Sequence, residues 1–130
     1  MSPVAETLLG RDERGYAVAV SMASYSGYPI RVGAVAYHNS KRLAGAFNTL
    51  RNSAKDSEFG TATYHAEHNC LRGIPSRFLL KTTLYVARLG KRNEELPSRP
   101  CSKCRILLAG VGVPEVVYKN NEGVLVKEYI

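Results

Sequence analysis

Thr82-Thr83-Leu84-Tyr85-Val86-Ala87 is the most strand-like segment of the chain. Its β-branched, aromatic and aliphatic residues form a short apolar run, which is typical of a buried β-strand. On its N-terminal side, residues 65–71 have the pattern of a helix, which Gly73 and Pro75 end. On its C-terminal side, residues 102–109 have the pattern of a second helix. A buried strand between two helices indicates an α/β architecture.

Two further pairs of strands flank this centre. The apolar runs at 32–37 and 43–47 surround a polar tip and therefore predict a β-hairpin. Residues 116–118 and 124–126 predict the other pair. The connection between them, 119–123, is too short to hold a crossover helix, so these two strands should be antiparallel.

The remaining segments complete the predicted order. A helix is expected over residues 2–24, although Gly10 and Gly15 weaken its pattern. The polar segments at 49–63 and 88–99 are expected to be loops. The order helix, strand, strand, helix, strand, helix, strand, strand predicts a three-layer α/β/α sandwich with a five-stranded mixed sheet.

Length and composition restrict the class of protein. The chain has 130 residues, of which 45% are hydrophobic and 22% are charged. These values fit one globular domain spanning residues 1–130 and exclude a disordered chain. No apolar run approaches the ~18 residues of a membrane span, so no membrane association is expected. Residues 1–7 lack the basic and apolar regions of a secretory signal, and we therefore expect a cytoplasmic protein.

The chain is basic, with 18 Lys and Arg against 11 Asp and Glu and a net charge of +7. Such an excess on a small domain favours an anionic partner, and we expect a ligand that bears phosphate. The basic residues are dispersed rather than clustered, so solubility is the alternative explanation of the charge.

Two short motifs carry residues that can perform chemistry, namely His65-Ala66-Glu67 and Pro100-Cys101-Ser102-Lys103-Cys104. Cys101 and Cys104 are three positions apart at an expected helix start. Their sulfurs share one face there, and the helix dipole lowers a thiol pKa. With the imidazole of His65 they supply three ligands for a tetrahedral zinc ion. A zinc ion with three protein ligands keeps a fourth position for water, the pattern of a catalytic site, and lowers the pKa of that water toward ~7.

Glu67 lies two positions after His65. Residues at that spacing on a helix do not face the same way, so Glu67 is not expected to ligate the zinc ion. Its carboxylate can instead accept a proton from the water and donate it to a ring nitrogen and to a leaving amine.

Two other interpretations of these residues stay open. His68 is three positions from His65, so two imidazoles and two thiolates could close a Cys2His2 structural zinc site. The C-x-x-C spacing of Cys101 and Cys104 also occurs in thiol redox proteins. The chain has 3 cysteines, an odd number that argues against a disulfide scaffold. The remaining one, Cys70, is expected to be a small buried apolar residue.

The two motifs in this order are the signature of the zinc deaminases. Residues 25–128 resemble the cytidine and deoxycytidylate deaminase superfamily over nearly the whole order of elements. The segment 25–48 resembles the opening hairpin of that family, including Val32-Gly33-Ala34. Leu84-Tyr85-Val86 resembles the strand before its cysteine motif, and residues 113–118 resemble the strand after it.

The resemblance implies hydrolytic removal of an exocyclic amine from a nucleobase. The zinc ligands that it implies are His65, Cys101 and Cys104. It also implies that Glu67 transfers protons and that the backbone N–H groups of Ala66 and Cys101 face the reacting base. Family members place an Asn at the end of the hairpin, so the resemblance implies that Asn48 contacts a ribose hydroxyl. The alternative is that Asn48 only ends the strand.

Several aromatic and basic residues are further candidates for substrate contacts. Tyr64 could stack on the base, although core packing explains it almost as well. Arg99 and Arg51 could bind a phosphate, although single arginines on loops are usually solvated. Tyr25 and Tyr28 could line the pocket.

Different features of the sequence resemble groups of the family that act on different substrates. His65 resembles deoxycytidylate deaminases, tRNA adenosine deaminases and polynucleotide cytidine deaminases, because nucleoside deaminases usually have Cys there. The short turn at 120–123 resembles the nucleoside and polynucleotide groups, and Arg105 resembles the nucleoside group. The best overall likeness is to small, often virus-encoded deaminases.

We therefore expect a zinc-dependent hydrolase that deaminates the cytosine base of a nucleoside or nucleotide. The first alternative is a deaminase of single-stranded polynucleotide or tRNA, in which the basic loops 51–59 and 88–99 follow the backbone. An alternative of another class is a non-catalytic, zinc-stabilised module that binds nucleic acid. The resemblance also implies a homo-oligomer, because family members commonly build their pockets with neighbouring subunits.

Overall fold

The computed structural model describes residues 4–5, 8, 10–27, 30–50 and 63–130. The strands are β1 Val4–Ala5, β2 Arg31–His38, β3 Lys41–Phe47, β4 Thr49–Leu50, β5 Thr63–Tyr64, β6 Thr83–Leu89, β7 Glu95–Leu96, β8 Glu115–Lys119 and β9 Leu125–Tyr129. The helices are α1 Gly10–Ala23, α2 Ala66–Arg72, α3 Ser76–Leu79 and α4 Ser102–Val111. Within these ranges, no helix has the length and apolar character that crossing a membrane requires.

One sheet of seven strands organises the fold, in the order β1-β9-β8-β6-β2-β3 with β7 paired to β6. β6 and β8 are parallel, whereas the other neighbouring pairs of this sheet are antiparallel. The predicted mixed sheet and its antiparallel final pair, β8 and β9, are confirmed. The strand count differs from the five predicted, because β1 and β7, two residues each, also join the sheet.

β6 lies in the middle of the sheet, with β2 on one side and β8 on the other. Its side chains alternate between two layers, as the pleat of a strand requires. Leu84 and Val86 pack with residues of α2 and α4 in one core cluster. Tyr85 and Ala87 pack with residues of α1 in the other. The helices therefore cover both faces of the sheet, and the predicted three-layer sandwich is confirmed.

α1 lies so close to β2 that the contact requires a glycine. A Cβ atom on Gly33 would lie 2.2 Å from the backbone oxygen of Ala19 and 2.4 Å from the backbone nitrogen of Ala23. Both of these atoms belong to the helix backbone and cannot rotate away as a side chain can. The contact therefore fixes the distance between the first helix and the sheet.

The N-terminal helix is shorter than the expected range of 2–24. α1 begins at Gly10, and Val4–Ala5 forms β1 instead, which pairs with β9 near the other end of the chain. A strand of two residues is stabilised by its partner rather than by its own pattern, so local periodicity does not predict it.

The two expected loops also contain short regular elements. The segment 88–99 includes the end of β6 and the whole of β7, which pair with each other. The segment 49–63 begins with β4 and ends with the first residue of β5, and these two strands pair with each other. Residues 51–62 lie outside the described residues, and with them the expected basic loop 51–59. The short helix α3 is not predicted from the sequence.

Candidate active site

The two motifs meet where α2 and α4 begin. His65 is the N-cap residue of α2, and Cys101 is the N-cap residue of α4. Both have extended backbone, and neither caps its helix with a side-chain hydrogen bond. The predicted positions of both motifs at helix starts are therefore confirmed, and both starts line one cavity.

The imidazole and the two thiols form a compact set of metal donors. Nδ1 of His65 lies 3.1 Å from Sγ of Cys104 and 3.8 Å from Sγ of Cys101. The potential ligand atoms of these residues all lie within 4.8 Å of one another. Ligands of a tetrahedral zinc ion lie roughly 3.5–3.8 Å apart, given the usual Zn–N and Zn–S bond lengths. The spacing and the mixed nitrogen and sulfur chemistry of this set therefore fit Zn²⁺.

The thiols differ in their surroundings. Cys104 is buried, whereas Cys101 is exposed. Burial, followed by the nearby Glu67 and Cys101, raises the pKa of the Cys104 thiol. A divalent cation offsets this effect because it is held by the thiolate form. A bound cation would therefore stabilise the thiolate form of Cys104, which burial alone disfavours.

Glu67 is the buried carboxyl group of the site, with only 5% of its surface exposed. Burial raises its pKa, and a backbone hydrogen bond together with His65 and Cys104 acts in the opposite direction. Glu67 does not belong to the set of metal donors, and it lines the same cavity. A carboxyl group in such surroundings can hold a proton and release it, as general acid–base chemistry requires.

The cavity beside the donor set has a volume of about 330 Å³. Its apolar wall is formed by Ile30, Val32, Val86 and Pro97. This size lies at the small end of the range for sites that bind small molecules.

The structure places three of the five expected substrate contacts in the cavity wall, namely Asn48, Ala66 and Arg99. Tyr25 is not part of the wall: it is 67% exposed, and its ring packs against that of Phe47 with 6.2 Å between centroids. Tyr64 lies in β5, where its backbone pairs with Thr49. Arg51 and Tyr28 lie outside the described residues.

Asn48 is held by the backbone at the start of β2 and just before it. Its Oδ1 accepts a hydrogen bond from the backbone nitrogen of Val32 at 2.9 Å, and its Nδ2 donates to the carbonyl oxygen of Ile30 at 3.2 Å. The amide therefore does end the strand, as the alternative interpretation has it. An amide nitrogen carries two hydrogens, so one donor is left beyond the bond to Ile30.

Arg99 does not stand alone on its loop. Its Nε and Nη2 donate to the carboxylate of Glu128 at 3.0 and 3.1 Å. Arg105 and the hydroxyl of Tyr118 also donate to this carboxylate, which is 1% exposed. Because Arg99 precedes the cysteine motif and Arg105 follows it, Glu128 ties both ends of that motif to β9.

Sequence reasoning missed Glu128, Ser98 and Arg88. Ser98 donates to the carbonyl oxygen of Val86 at 2.8 Å, which attaches the segment before the cysteine motif to β6. The sequence predicts a loop at Arg88, but this residue belongs to β6 and lines the cavity. The alternation of Leu84, Val86 and Arg88 is the signal that could have found it, because every second residue of a strand shares one face.

The alternative of a closed structural zinc site is not favoured by the geometry. Among the residues that the structure describes, the donor cluster holds His65, Cys101 and Cys104 and does not include His68. Cys70 is 1% exposed, as predicted, and burial raises the pKa of its thiol to about 12. A thiol with such a pKa is unreactive near neutral pH.

An α/β/α sandwich in which two helix starts present one imidazole, two thiols and a buried carboxyl group defines a zinc-binding domain of the deaminase type. The family model of the cytidine and deoxycytidylate deaminase zinc-binding region matches residues 10–120. The chain therefore belongs to this family, and zinc is the metal that its donor set fits.

Solved structures with the same fold include cytidine deaminases from three bacteria. That of Burkholderia pseudomallei has a TM-score of 0.65 at 19% identity, covering 90% of this chain and 91% of its own. That of Mycobacterium leprae has a TM-score of 0.55 at 21% identity, covering 89% and 91%. That of Mycobacterium tuberculosis has a TM-score of 0.53 at 21% identity, covering 81% and 80%. No curated protein matches the chain significantly by sequence.

Family membership assigns the chain to zinc-dependent cytosine deamination in general. The identities of 19% and 21% are low, so the structural likeness shows a shared fold alone.

Proposed function

We propose that this protein hydrolytically deaminates the cytosine base of a small nucleoside or nucleotide and releases ammonia. The observation that carries the proposal is the buried carboxyl group of Glu67, which lines one cavity of about 330 Å³ together with two of the three metal donors, His65 and Cys101. A metal site that served only to stabilise the fold would not need a buried carboxyl group beside it.

A zinc ion held by the three donors would act as a Lewis acid and activate a water molecule. The water oxygen forms a bond to C4 of cytosine, and Glu67 takes a proton from the water and passes it to N3. The bond between C4 and the exocyclic nitrogen then breaks. Glu67 carries the second proton from the former water to the leaving amine, so the products are the uracil form and ammonia.

The cavity wall supplies groups that can orient the substrate. The backbone N–H groups of Ala66 and Cys101 lie at two helix starts, where such groups lack partners within the helix and are favourable for acceptor atoms. We assign them to the polar edge of the base. The remaining amide hydrogen of Asn48 is assigned to a sugar hydroxyl, with the amide fixed by its bonds to Ile30 and Val32.

The proposal is tested by incubating the zinc-loaded protein with cytidine, deoxycytidine and their monophosphates, and by measuring ammonia release and the ultraviolet change from cytosine to uracil. We expect turnover that is lost on chelation and restored by added zinc. Lack of turnover of every cytosine compound by protein with one zinc ion per chain would overturn the proposal.

Deamination of single-stranded polynucleotide is a second candidate. The exposed Lys91 and Arg92 lie in the turn between β6 and β7, close in sequence to the cavity residues Arg88 and Pro97. A basic turn of this kind can follow a phosphate backbone. Conversion of a cytosine-containing oligonucleotide without conversion of free nucleosides or nucleotides would favour this candidate.

A further inference from the structure

Arg88 is a charged residue in the core-facing register of the central strand. It lies on β6, where its backbone pairs with Val32 of β2 and with Leu96 of β7. It occupies the same face as Val86, because the two are separated by one residue on a strand. Both Val86 and Arg88 line the cavity that Glu67 and His65 also line.

Within the part of the chain that the structure describes, the guanidinium group of Arg88 lacks the partners that other arginines of the fold have. Its Nε–H group is buried and donates to no acceptor among the described residues. In contrast, Arg99 and Arg105 both donate to Glu128, and Arg31 donates to the carbonyl oxygen of Gly90 and to Asn93. A buried N–H donor without an acceptor is unfavourable, so this position is costly for the empty protein and favourable for a bound acceptor.

No carboxylate among the described cavity residues is paired with Arg88. Of the described residues that line the cavity, Glu67 alone is acidic, and no ion pair joins it to Arg88. A neutral nucleoside would leave the positive charge of Arg88 without a counterion. A phosphate group has several acceptor oxygens and matches the planar donor fork of a guanidinium group.

We propose that Arg88 binds the phosphate of a cytosine mononucleotide, and that a nucleotide rather than a nucleoside is the preferred substrate. This inference rests on the proposed deamination and specifies its substrate class. A free mononucleotide is chosen over a polynucleotide because a cavity of about 330 Å³ has the size of a small-molecule site.

The experiment compares kcat/KM for CMP and for cytidine in the zinc-loaded wild type, in Arg88→Gln and in the control Arg42→Gln. Arg42 is exposed on β3, and its substitution removes the same charge away from the cavity. We expect the ratio of the two kcat/KM values to favour CMP in the wild type. The ratio should fall by about 10- to 100-fold in Arg88→Gln, the range for a charge-assisted bidentate contact, and stay unchanged in Arg42→Gln.

Arg88→Lys keeps the charge but loses the fork, so its ratio should lie between those of wild type and Arg88→Gln. Equal use of CMP and cytidine by the wild type would overturn the inference and leave the proposed function standing. An equal loss for both substrates in Arg88→Gln would also overturn it, because Arg88 would then contact the shared part of the substrate. Conversion of oligonucleotides alone would overturn the choice of a free nucleotide.

Binding of the products gives a readout that does not depend on turnover or on the variant. In the zinc-loaded wild type, UMP should bind more tightly than uridine by about 10-fold or more in calorimetry. If no cytosine compound is turned over and UMP still binds preferentially, the proposed function fails while the phosphate assignment stands. Equal binding of UMP and uridine would overturn the assignment even if Arg88→Gln does not fold.

Discussion

Glu67 and Glu128 are two buried carboxyl groups near the same cysteine motif, and they have opposite surroundings. Glu128 receives hydrogen bonds from Arg99, Arg105 and Tyr118, so its charge is paired on several sides. Glu67 faces the cavity and has no Arg or Lys in an ion pair within the described ranges.

This difference separates two uses of a buried acid. A carboxylate surrounded by cations stays ionised and fixes the positions of its partners. A carboxyl group that burial makes easier to protonate, and that opens onto a cavity, can change its protonation state during a reaction. Glu128 should therefore matter mainly for stability, and Glu67 mainly for catalysis.

The sharpest test of this comparison is Glu67→Gln. Glutamine has nearly the same shape but cannot carry protons, so kcat should fall by about 100- to 10,000-fold. Zinc content and melting temperature should remain near those of the wild type. Steady-state kinetics, metal analysis and thermal melting check the three expectations, with the exposed Glu122→Gln as control. Full activity in a zinc-loaded Glu67→Gln protein would end the assignment of proton transfer to this residue.

Glu128→Ala should show the reverse pattern. Removing this carboxylate leaves the buried hydroxyl of Tyr118 without its acceptor, whereas the partly exposed Arg99 and Arg105 can be solvated, so the free energy of unfolding should decrease by about 2–3 kcal/mol. The fully zinc-loaded variant should keep far more activity than Glu67→Gln. Denaturant unfolding and kinetics at saturating zinc measure the two effects. A protein as stable as the wild type would contradict the role of Glu128 in holding the motif.

Tyr118→Phe sharpens the comparison with a smaller change. The substitution removes only the hydroxyl that donates to Glu128, and Tyr118 is 4% exposed. A hydrogen bond to a charged group contributes about 1.5–3 kcal/mol, so the free energy of unfolding should decrease by that amount. Tyr129→Phe is the matched control, because Tyr129 is 46% exposed. Equal effects of the two substitutions would mean that the bond to Glu128 contributes nothing specific.

The exposed ion pair of Lys119 and Glu95 should have the smallest effect on the free energy of unfolding. Lys119 donates to Glu95 at 2.8 Å, and this hydrogen bond lowers the pKa of Glu95 below its ordinary value of 4.5. The pair therefore adds stability above pH 4.5, and this contribution is lost as the pH falls through the lowered pKa. Glu95→Gln should cost about 0.5 kcal/mol near neutral pH and nothing in acid, because solvent screens the pair. Denaturant unfolding at several pH values measures this, and a loss that persists in acid would point to packing instead.

The long strands and the motif helices were predictable because their signals are local. The run from Thr82 to Ala87 carries its own strand pattern, and Pro100 marks the approach to a helix start. The short strands β1 and β7 were not predictable, because each depends on pairing with a partner that its own residues do not specify.

The donor set could be predicted from spacing, whereas the residues that support it could not. Glu128 follows Lys127 in the final strand, and a charged pair there indicates a solvated edge rather than a buried one. Its burial depends on Arg99 and Arg105, which the fold brings to it from the two ends of the cysteine motif. The position of Arg88 in the cavity wall was also not predictable, because an arginine next to a polar segment is expected to be solvated.

The helices α2 and α4 each begin at a metal donor, His65 and Cys101, whose side chain forms no capping hydrogen bond. The side-chain hydrogen bond that usually caps a helix is thus missing at two of the three metal donors. Metal binding by His65 and Cys101 would therefore also hold the N-termini of α2 and α4 in place. A chelator should consequently loosen the first turn of both helices together, and the protein's resistance to proteolysis should follow its zinc occupancy.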